Sequence, residues 1–467
     1  MPQFAPDMLA ACTGGRWTRL PASSLAGFTA DSRKLRPGQV FVALRTDRRD
    51  GHAFLGAAQL IGASAAIVSA PSAALMLPQL VVRDTLTALQ AIARAHRRGF
   101  SGPVIGVTGS AGKTSTKELI ARLLGGEPAG VLATEGNLNN HLGVPLTLLR
   151  LDPAAHRFAI VEAGISAPGE MAVLASMIEP DVAIVTLVAP AHLAELGGVE
   201  GVAREKAILP ASVRAGGLAL FPSSCEEFAP FRDLRVAVRV IEKADVVRPE
   251  TTQPDRVFFA ASHREASTGI SLAFGSASPM LFTLRRVSDG MAQNAALAIG
   301  AALHLGVTPE DVRERLSDWE PSPMRGEWHH AGGRGLYIDC YNANPAAMAD
   351  ALAAFCGIAP VDEARLFLLG CMEELGPDSV RYHNELGRAL PLRAADHAIV
   401  IGVHAQAIRE GALAAGFTSE QVEVAPSAAS VRARVTEFRG SVFVKGSRRY
   451  ELETAVESMV SAEAVHA

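Results

Sequence analysis

Eight short apolar runs, separated by helix-length stretches rich in Ala and Leu, constrain this chain more than any other feature. VFVAL (40–44), AAIVSA (65–70), VIGVTG (104–109), FAIVEAG (158–164), VAIVTLV (182–188), RLFLLG (365–370), HAIVIG (397–402) and SVFVKG (441–446) are apolar almost throughout. A strand covered on one face alternates apolar and polar residues, whereas a strand covered on both reads as a continuous run. Segments such as 113–125 and 345–356 supply the covering helices. The fold class is therefore α/β, built on parallel sheets.

At 467 residues there is room for about three ordinary domains. In RRGFSGP, Gly99 and Pro103 interrupt a helical pattern, and in EPSPMRGEW two prolines punctuate the chain again. The expected domains are 1–98, 99–320 and 321–467. Residues 210–290 hold shorter, mixed pieces, expected to add strands, antiparallel ones among them, to the central sheet.

The stretch VIGVTGSAGKTSTKEL (104–119) reads as strand, glycine turn and helix. Small residues let backbone N–H groups converge on an anion, the helix N-terminus adds positive partial charge, Lys neutralises phosphate and a Thr hydroxyl suits Mg²⁺. A general phosphate loop, Gly-x-x-x-x-Gly-Lys-Ser/Thr, would put its first Gly at Val107, so the match is to a shorter T-G-x-x-G-K-T form. Thr108, Gly109, Ser110, Ala111, Gly112, Lys113, Thr114 and Ser115 are thus expected to hold a nucleotide triphosphate.

A net charge of −4 gives no electrostatic footprint for nucleic acid or an anionic membrane. Five scattered cysteines without a C-x-x-C pair suggest neither disulfides nor a zinc cluster, and reduced cytoplasmic thiols are expected. MPQFAPDMLAACTGG lacks a basic segment followed by a long apolar core, so a secretory leader is not expected. The most apolar window, AAQLIGASAAIVSAPSAALML, is interrupted by Gln59, Ser64, Ser69 and Pro71, and reads as helix, turn and strand rather than a membrane span.

Three further segments surround the loop. TEGNLNNHLGVPLTLLRL (134–151) places Asn residues before an apolar helix; VEAGISAPGEM (161–171) puts Glu162 at a strand's carboxyl end, where open sheets gather ligands; VAPAHLAELGGVEGVAREKAIL (188–209) carries His192 and, one helix further, Lys206. Singly, His192 reads as a satisfied strand-end histidine and Lys206 as a solvated helix residue. Together with TGSAGKTS, these segments resemble the Mur ligases, ATP-dependent amide-forming enzymes of peptidoglycan assembly. IDCYNANPAAM (338–348), LGCMEELG (369–376), VKGSRRYELE (444–453) and, near the N-terminus, TADSRKLRPGQVFVAL with RDGHAFL extend the resemblance over the whole chain.

The resemblance implies three domains: an N-terminal UDP-substrate domain, a central ATPase domain and a C-terminal Rossmann-like domain. It implies an enzyme that joins D-alanyl-D-alanine to UDP-N-acetylmuramoyl-tripeptide through an acyl phosphate, using ATP and two Mg²⁺ ions, as a cytoplasmic monomer. Lys113 would contact the β- and γ-phosphates, Thr114 and Glu162 one Mg²⁺, and His192 with a carbamylated Lys206 the second. Arg325 would reach the phosphates, Asp339 and Tyr341 the ribose and base, and Asn342 and Asn344 the nucleotide or the dipeptide. Asn294 is matched to the adenine region, with Gln293 the rival register. Asn139, Asn140, Lys445, Ser447 and Arg448 fall at substrate positions, and Ser32 and Arg33 at the UDP pyrophosphate; Asp50, Gly51 and His52 read equally as a turn. YNANP also suits a helix start without any ligand, and the basic loop of Lys445, Ser447 and Arg448 a charged surface turn. The family's Asp in L-G-D-M-x-E-L-G is replaced by Cys371. Another Mur-type ligase, a folylpolyglutamate synthetase-like enzyme and a nucleotide switch without amide chemistry remain as alternatives, and the tripeptide's third residue, diaminopimelate or lysine, stays open.

Overall fold

In the computed structural model, which describes residues 2–247, 255–275, 277–331 and 334–463, each of the eight apolar runs forms a strand. They fall into three sheets. The first orders Arg16–Trp17, Gln79–Val81, Ala65–Val68, Val40–Val42 and Phe28–Thr29, parallel except at the Arg16–Trp17 edge. The second has nine strands and the third six. The Ala-rich window resolves into the helix Leu55–Ile61, a left-handed Gly62 and the strand Ala65–Val68.

At the middle of the nine-stranded sheet, Val104–Thr108 lies between Phe158–Glu162 and Val182–Val185, all parallel. The register sets Glu162 beside Val107 and Val185 beside Thr108. Three neighbouring carboxyl ends therefore open on one edge, which is where the glycine turn leaves the sheet. All five residues of Val104–Thr108 are buried, because helices cover both faces. On one face, Leu119, Ile120 and Leu123 of the helix Lys113–Leu123 pack with the Ala-rich helix Asp289–His304. Burial of each of these three side chains is worth on the order of 1.5–3 kcal/mol, and the alanines opposite let the two helices approach closely.

Residues 210–290 extend this sheet. Leu218–Pro222, Ala237–Lys243 and Arg256–His263 continue it in parallel, and Ser267–Phe274 and Met280–Arg285 add an antiparallel meander. The meander alternates buried and partly exposed residues, the pattern of a sheet covered on one face, and so reads less plainly than the central runs. The third sheet orders Glu327–Ala331, Arg334–Asp339, Ser441–Lys445, Arg365–Gly370, His397–Ile401 and Val422–Ala425, parallel but for its first strand.

Two buried arginines tie distant segments together. Arg97, at the end of the helix Thr85–Arg98, is fully buried and donates to the Ile178, Phe100 and Glu179 carbonyls and to Asp181, 3.0 Å away. It joins the helix that follows the first sheet to the central one. Arg365 pairs with the fully buried Asp396 at 2.6 Å, and Arg393 pairs with the same carboxylate at 3.1 Å. Burial opposes ionisation of Asp396, but hydrogen bonds from Arg393 and Arg365 prevail and hold its carboxyl below the ordinary range. A carboxyl lowered in the folded state stabilises above its unfolded pKa of about 3.9 and ceases to as pH falls through the folded value. Replacing Asp396 by Ala should lower the unfolding free energy at neutral pH by about 3–5 kcal/mol, since it strands a buried cation. Urea denaturation of both proteins should show that gap at pH 7 and a smaller one below about pH 4.

Candidate active site

The turn after Val104–Thr108 takes its shape from two glycines in left-handed or related backbone. Gly109 has φ +150° and Gly112, the N-cap of Lys113–Leu123, has φ +75°. A Cβ at Gly109 would overlap Thr186 Oγ1, and one at Gly112 would overlap the Asn294 amide. Thr186, at the end of the neighbouring strand, donates its hydroxyl to the Ala111 carbonyl. Ser110 accepts the Ala189 N–H at 3.0 Å and donates to its carbonyl at 2.8 Å, so its hydroxyl serves the loop's own structure. Thr108 does likewise, donating to the Ala163 carbonyl from a fully buried position. Ser110 to Ser115 line a crevice of about 400 Å³.

Lys113 turns back and donates to the Gly109 carbonyl at 2.8 Å. Burial lowers its pKa and nearby Arg325 lowers it further, against the pull of Glu162. Glu162 is 1% exposed. One carboxylate oxygen accepts from Asn139 Nδ2 at 2.7 Å, while the other, Oε2, is buried without a hydrogen-bond partner. An anionic oxygen left unpaired beside a phosphate-type loop suits a hard cation such as Mg²⁺, and Thr114 lines the same crevice. Asn139 packs on Gly164, where any Cβ would sit 2.9 Å from its amide carbon. Asn140 instead accepts the Leu142 and Gly143 N–H groups and caps a turn.

The third sheet supplies the opposite wall. Arg325 lies 4.0 Å over the Tyr341 ring and donates to Thr114 Oγ1 at 3.2 Å. Asn344 caps the helix Pro345–Ile358 through Ala347 N–H, at 2.9 Å, and its amide donates to the Ser110 carbonyl at 3.2 Å. The helix-start and ligand-side readings of YNANP are thus compatible. Lys445 is 1% exposed and bonds Asp339 at 2.7 Å. Burial raises the Asp339 pKa and the Asp350 charge adds to that, while Lys445 opposes both. Asn342 lines the crevice too, as do Gln293 and Asn294; Gln293 donates to the Thr186 carbonyl at 3.3 Å while Asn294 abuts Gly112. Both candidate registers therefore reach the site.

His192 and Lys206 do not line this crevice. His192, with φ 51°, begins the short helix Leu193–Leu196, and its Nδ1 meets Glu374 Oε2 at 2.7 Å. That bond holds the Glu374 carboxyl below its ordinary range. Lys206, in the helix Val199–Ala211, is 2% exposed; burial first, then the charge of Lys113, drive its pKa well below the usual lysine value. It has no hydrogen-bond acceptor among the described residues. Ser447 and Arg448 also stand apart, with Arg448 paired to Glu453.

A second, larger cleft of about 1060 Å³ lies between the first sheet and residues 132–156. Ser32, Arg33, Lys34, Arg36, Arg49 and Arg150 line it. Arg33 is anchored on its own Asp31 at 2.8 Å. Asp50 and His52 are spent locally: Asp50 caps the turn through His52 N–H, and His52 Nε2 accepts from Ser69 N–H at 2.9 Å.

Thr186, Asp350 and Glu374 are absent from the sequence-based set. Thr186 carries a local signal, a lone hydroxyl in VAIVTLV at a strand's carboxyl end. Asp350 accepts Gly290 N–H at 2.8 Å across the crevice and Glu374 meets His192, and neither contact has a local signal.

A family model described as Mur ligase middle domain matches residues 107–302, and one described as Mur ligase, glutamate ligase domain matches 324–448. The UDP-N-acetylmuramoyl-tripeptide–D-alanyl-D-alanine ligase of Escherichia coli (strain K12) is 31% identical over 442 residues, covering 93% of this chain and 94% of that protein. The crystal structure of MurF from Acinetobacter baumannii superposes with a TM-score of 0.87 at 28% identity, over 99% of both chains. The MurF ligase of Thermotoga maritima, solved in complex with ADP, gives 0.78 at 26% identity, covering 95% of this chain and 99% of that one.

The loop geometry makes a direct prediction. Gly112→Ala places a side chain where φ is +75° and where Asn294 already sits. Left-handed strain alone costs about 1–2 kcal/mol, so ADP affinity measured by calorimetry should fall about tenfold or more. An unchanged affinity would mean that the loop does not hold the phosphates.

Proposed function

The chain belongs to the Mur ligase family, and on that premise we propose that it is the ATP-dependent ligase that adds D-alanyl-D-alanine to UDP-N-acetylmuramoyl-tripeptide in peptidoglycan precursor synthesis. One observation carries the reading: the loop Ser110–Ser115, Glu162 and Asn139 from the central sheet face Arg325, Asp339, Asn344 and Lys445 from the third across a single crevice. A nucleotide switch needs the loop alone; a ligase needs a second wall that brings a carboxylate and an amine to the terminal phosphate.

Hydroxide is a poor leaving group, so the tripeptide carboxylate first takes the γ-phosphoryl group of ATP, giving an acyl phosphate and ADP. The D-alanyl-D-alanine amine then attacks the carbonyl, inorganic phosphate departs and the amine loses a proton. Positioning and charge neutralisation dominate such chemistry. Lys113 and Arg325 hold the phosphates, Asp339 and Tyr341 the nucleoside, with Asn294 towards the adenine. Asn139, Lys445, Ser447 and Arg448 serve the peptide substrates.

Thr114 and Glu162 would hold one Mg²⁺, and His192 with a carbamylated Lys206 the other; bound there, the ions would supply charge neutralisation for the phosphates. The orphaned Glu162 Oε2 supports the first site. The second is supported by the buried, acceptor-free Lys206, whose lowered pKa favours the neutral amine. That amine adds CO₂ and releases a proton, becoming an anionic oxygen donor.

The cleft lined by Ser32 and Arg33, with Lys34, Arg36 and Arg49 close by, takes the UDP pyrophosphate through charge-assisted hydrogen bonds. Residues 1–98 then serve the UDP-sugar, 99–320 the ATP and 321–467 the ligation. ATP and UDP-linked precursors place the reaction in the cytoplasm, where it serves wall growth and with it cell shape and division. No described helix is long and apolar enough to cross a membrane. A crevice assembled within one chain supports a functional monomer.

Phosphate release should require both UDP-tripeptide and D-alanyl-D-alanine, and hydrolysis indifferent to them would point to the switch instead. Lys206→Ala should cut ligation by about a hundredfold, the scale of a lost charge-stabilising group. Short carboxylic acids should restore part of it, and full activity of the unrescued variant would remove Lys206 from the mechanism.

A further inference from the structure

His192 and Glu374 stand on loops that follow strands of different sheets, and two contacts join those loops. The imidazole Nδ1 stands 2.7 Å from Glu374 Oε2, and Leu193 N–H donates to the Glu374 carbonyl at 3.3 Å. Both residues hold left-handed backbone without being glycine, with φ 51° and 62°. Such conformations persist where the surroundings enforce them, and they cluster at functional sites.

The segment carrying Glu374 is shaped for this approach. Gly376, with φ +62°, packs on the His192 loop so closely that a Cβ there would sit 2.9 Å from Ala194 Cβ. The base of the segment is fixed by Met372 N–H, which donates to the buried His383 Nε2 at 2.9 Å. The preceding acid, Glu373, is already taken by the Tyr450 hydroxyl and by Arg449. Glu374 alone is left to face the imidazole.

We infer that Glu374 is a positioning residue for His192: its carboxylate accepts the Nδ1 proton, which sets the tautomer and leaves Nε2 with the free lone pair a metal ligand needs. The inference rests on His192 being a Mg²⁺ ligand. Nε2 has no hydrogen-bond partner among the described residues. Histidine ligands commonly donate their other ring N–H to a carboxylate, which fixes the ring and strengthens the donor nitrogen. Here that carboxylate stands on the loop after Arg365–Gly370, a strand of the third sheet, while the histidine follows Val182–Val185 of the second. Ion binding at His192 and closure of the two walls are therefore coupled, and each favours the other.

Mn²⁺ serves as the probe, bound to the full chain with a non-hydrolysable ATP analogue and read by electron paramagnetic resonance. Wild type should show nitrogen coupling from an imidazole, and His192→Gln should remove it. Glu374→Ala should weaken that ion's binding by about 10- to 100-fold and diminish the coupling. Glu374→Gln keeps a carbonyl acceptor at the same reach and should retain both. Wild type without nitrogen coupling would reject His192 as a ligand and the inference with it. Coupling and affinity unchanged in Glu374→Ala would overturn the positioning role alone. A Glu374→Gln variant that behaves like Glu374→Ala would overturn the tautomer account.

Discussion

Crowded positive charge at the carboxyl edge of the central sheet is the constraint on which the site depends. Lys113, Lys206 and Arg325 come from three elements and sense one another: Arg325 lowers the Lys113 pKa, and Lys113 lowers that of Lys206. Among the described residues, Glu162 is the carboxylate that acts on Lys113, and half of it is committed to Asn139. Buried cations without matching anions are costly. A triphosphate supplies those anions. The arrangement is thus incomplete without ligands, which is the physical mark of a site organised around a polyanion rather than around its own stability.

The groups that complete the crevice lie on the other side of a gap the chain spans with few bonds. Arg325 to Thr114, Asn344 to Ser110, Asp350 to Gly290 and Glu374 to His192 are each single or paired hydrogen bonds. Net, each contributes about 0.5–1.5 kcal/mol. Contacts of that size hold two walls in register while leaving them separable, as a reaction with three substrates and three products requires. The first sheet is attached differently, through the fully buried Arg97 and its four acceptors.

Cys371 stands where the family pattern has a carboxylate, and its surroundings explain how a thiol fits. It is fully buried; a Cβ at Gly402 would sit 2.8 Å from its sulfur, and the same Cβ would lie 2.7 Å from the Tyr450 ring. Burial pushes the thiol up to about 11, with the Glu373 charge adding to it, so it stays neutral. The negative charge of this loop resides one and two positions beyond Met372. Glu373 binds the segment that follows the last strand of the third sheet, and Glu374 reaches the central domain.

Local pattern carried much of this protein. Continuous apolar runs identify strands covered on both faces, because that pattern follows from burial alone, and all eight form. The glycines of 109 and 112 announce a tight turn in backbone that side chains rarely adopt, and Glu162 announces itself as an acid at a strand's end. The antiparallel meander is fainter, since one face meets water and its alternation blurs among loops. What sequence could not decide is which side chains meet across long separations. Whether Gln293 or Asn294 faces the loop, that Thr186 braces it, that Asp50 and His52 serve a turn and that Glu374 meets His192 all depend on packing between elements. Strand and turn chemistry is encoded within a few residues, whereas the meeting of Glu374 with His192 exists only once two sheets have closed on each other.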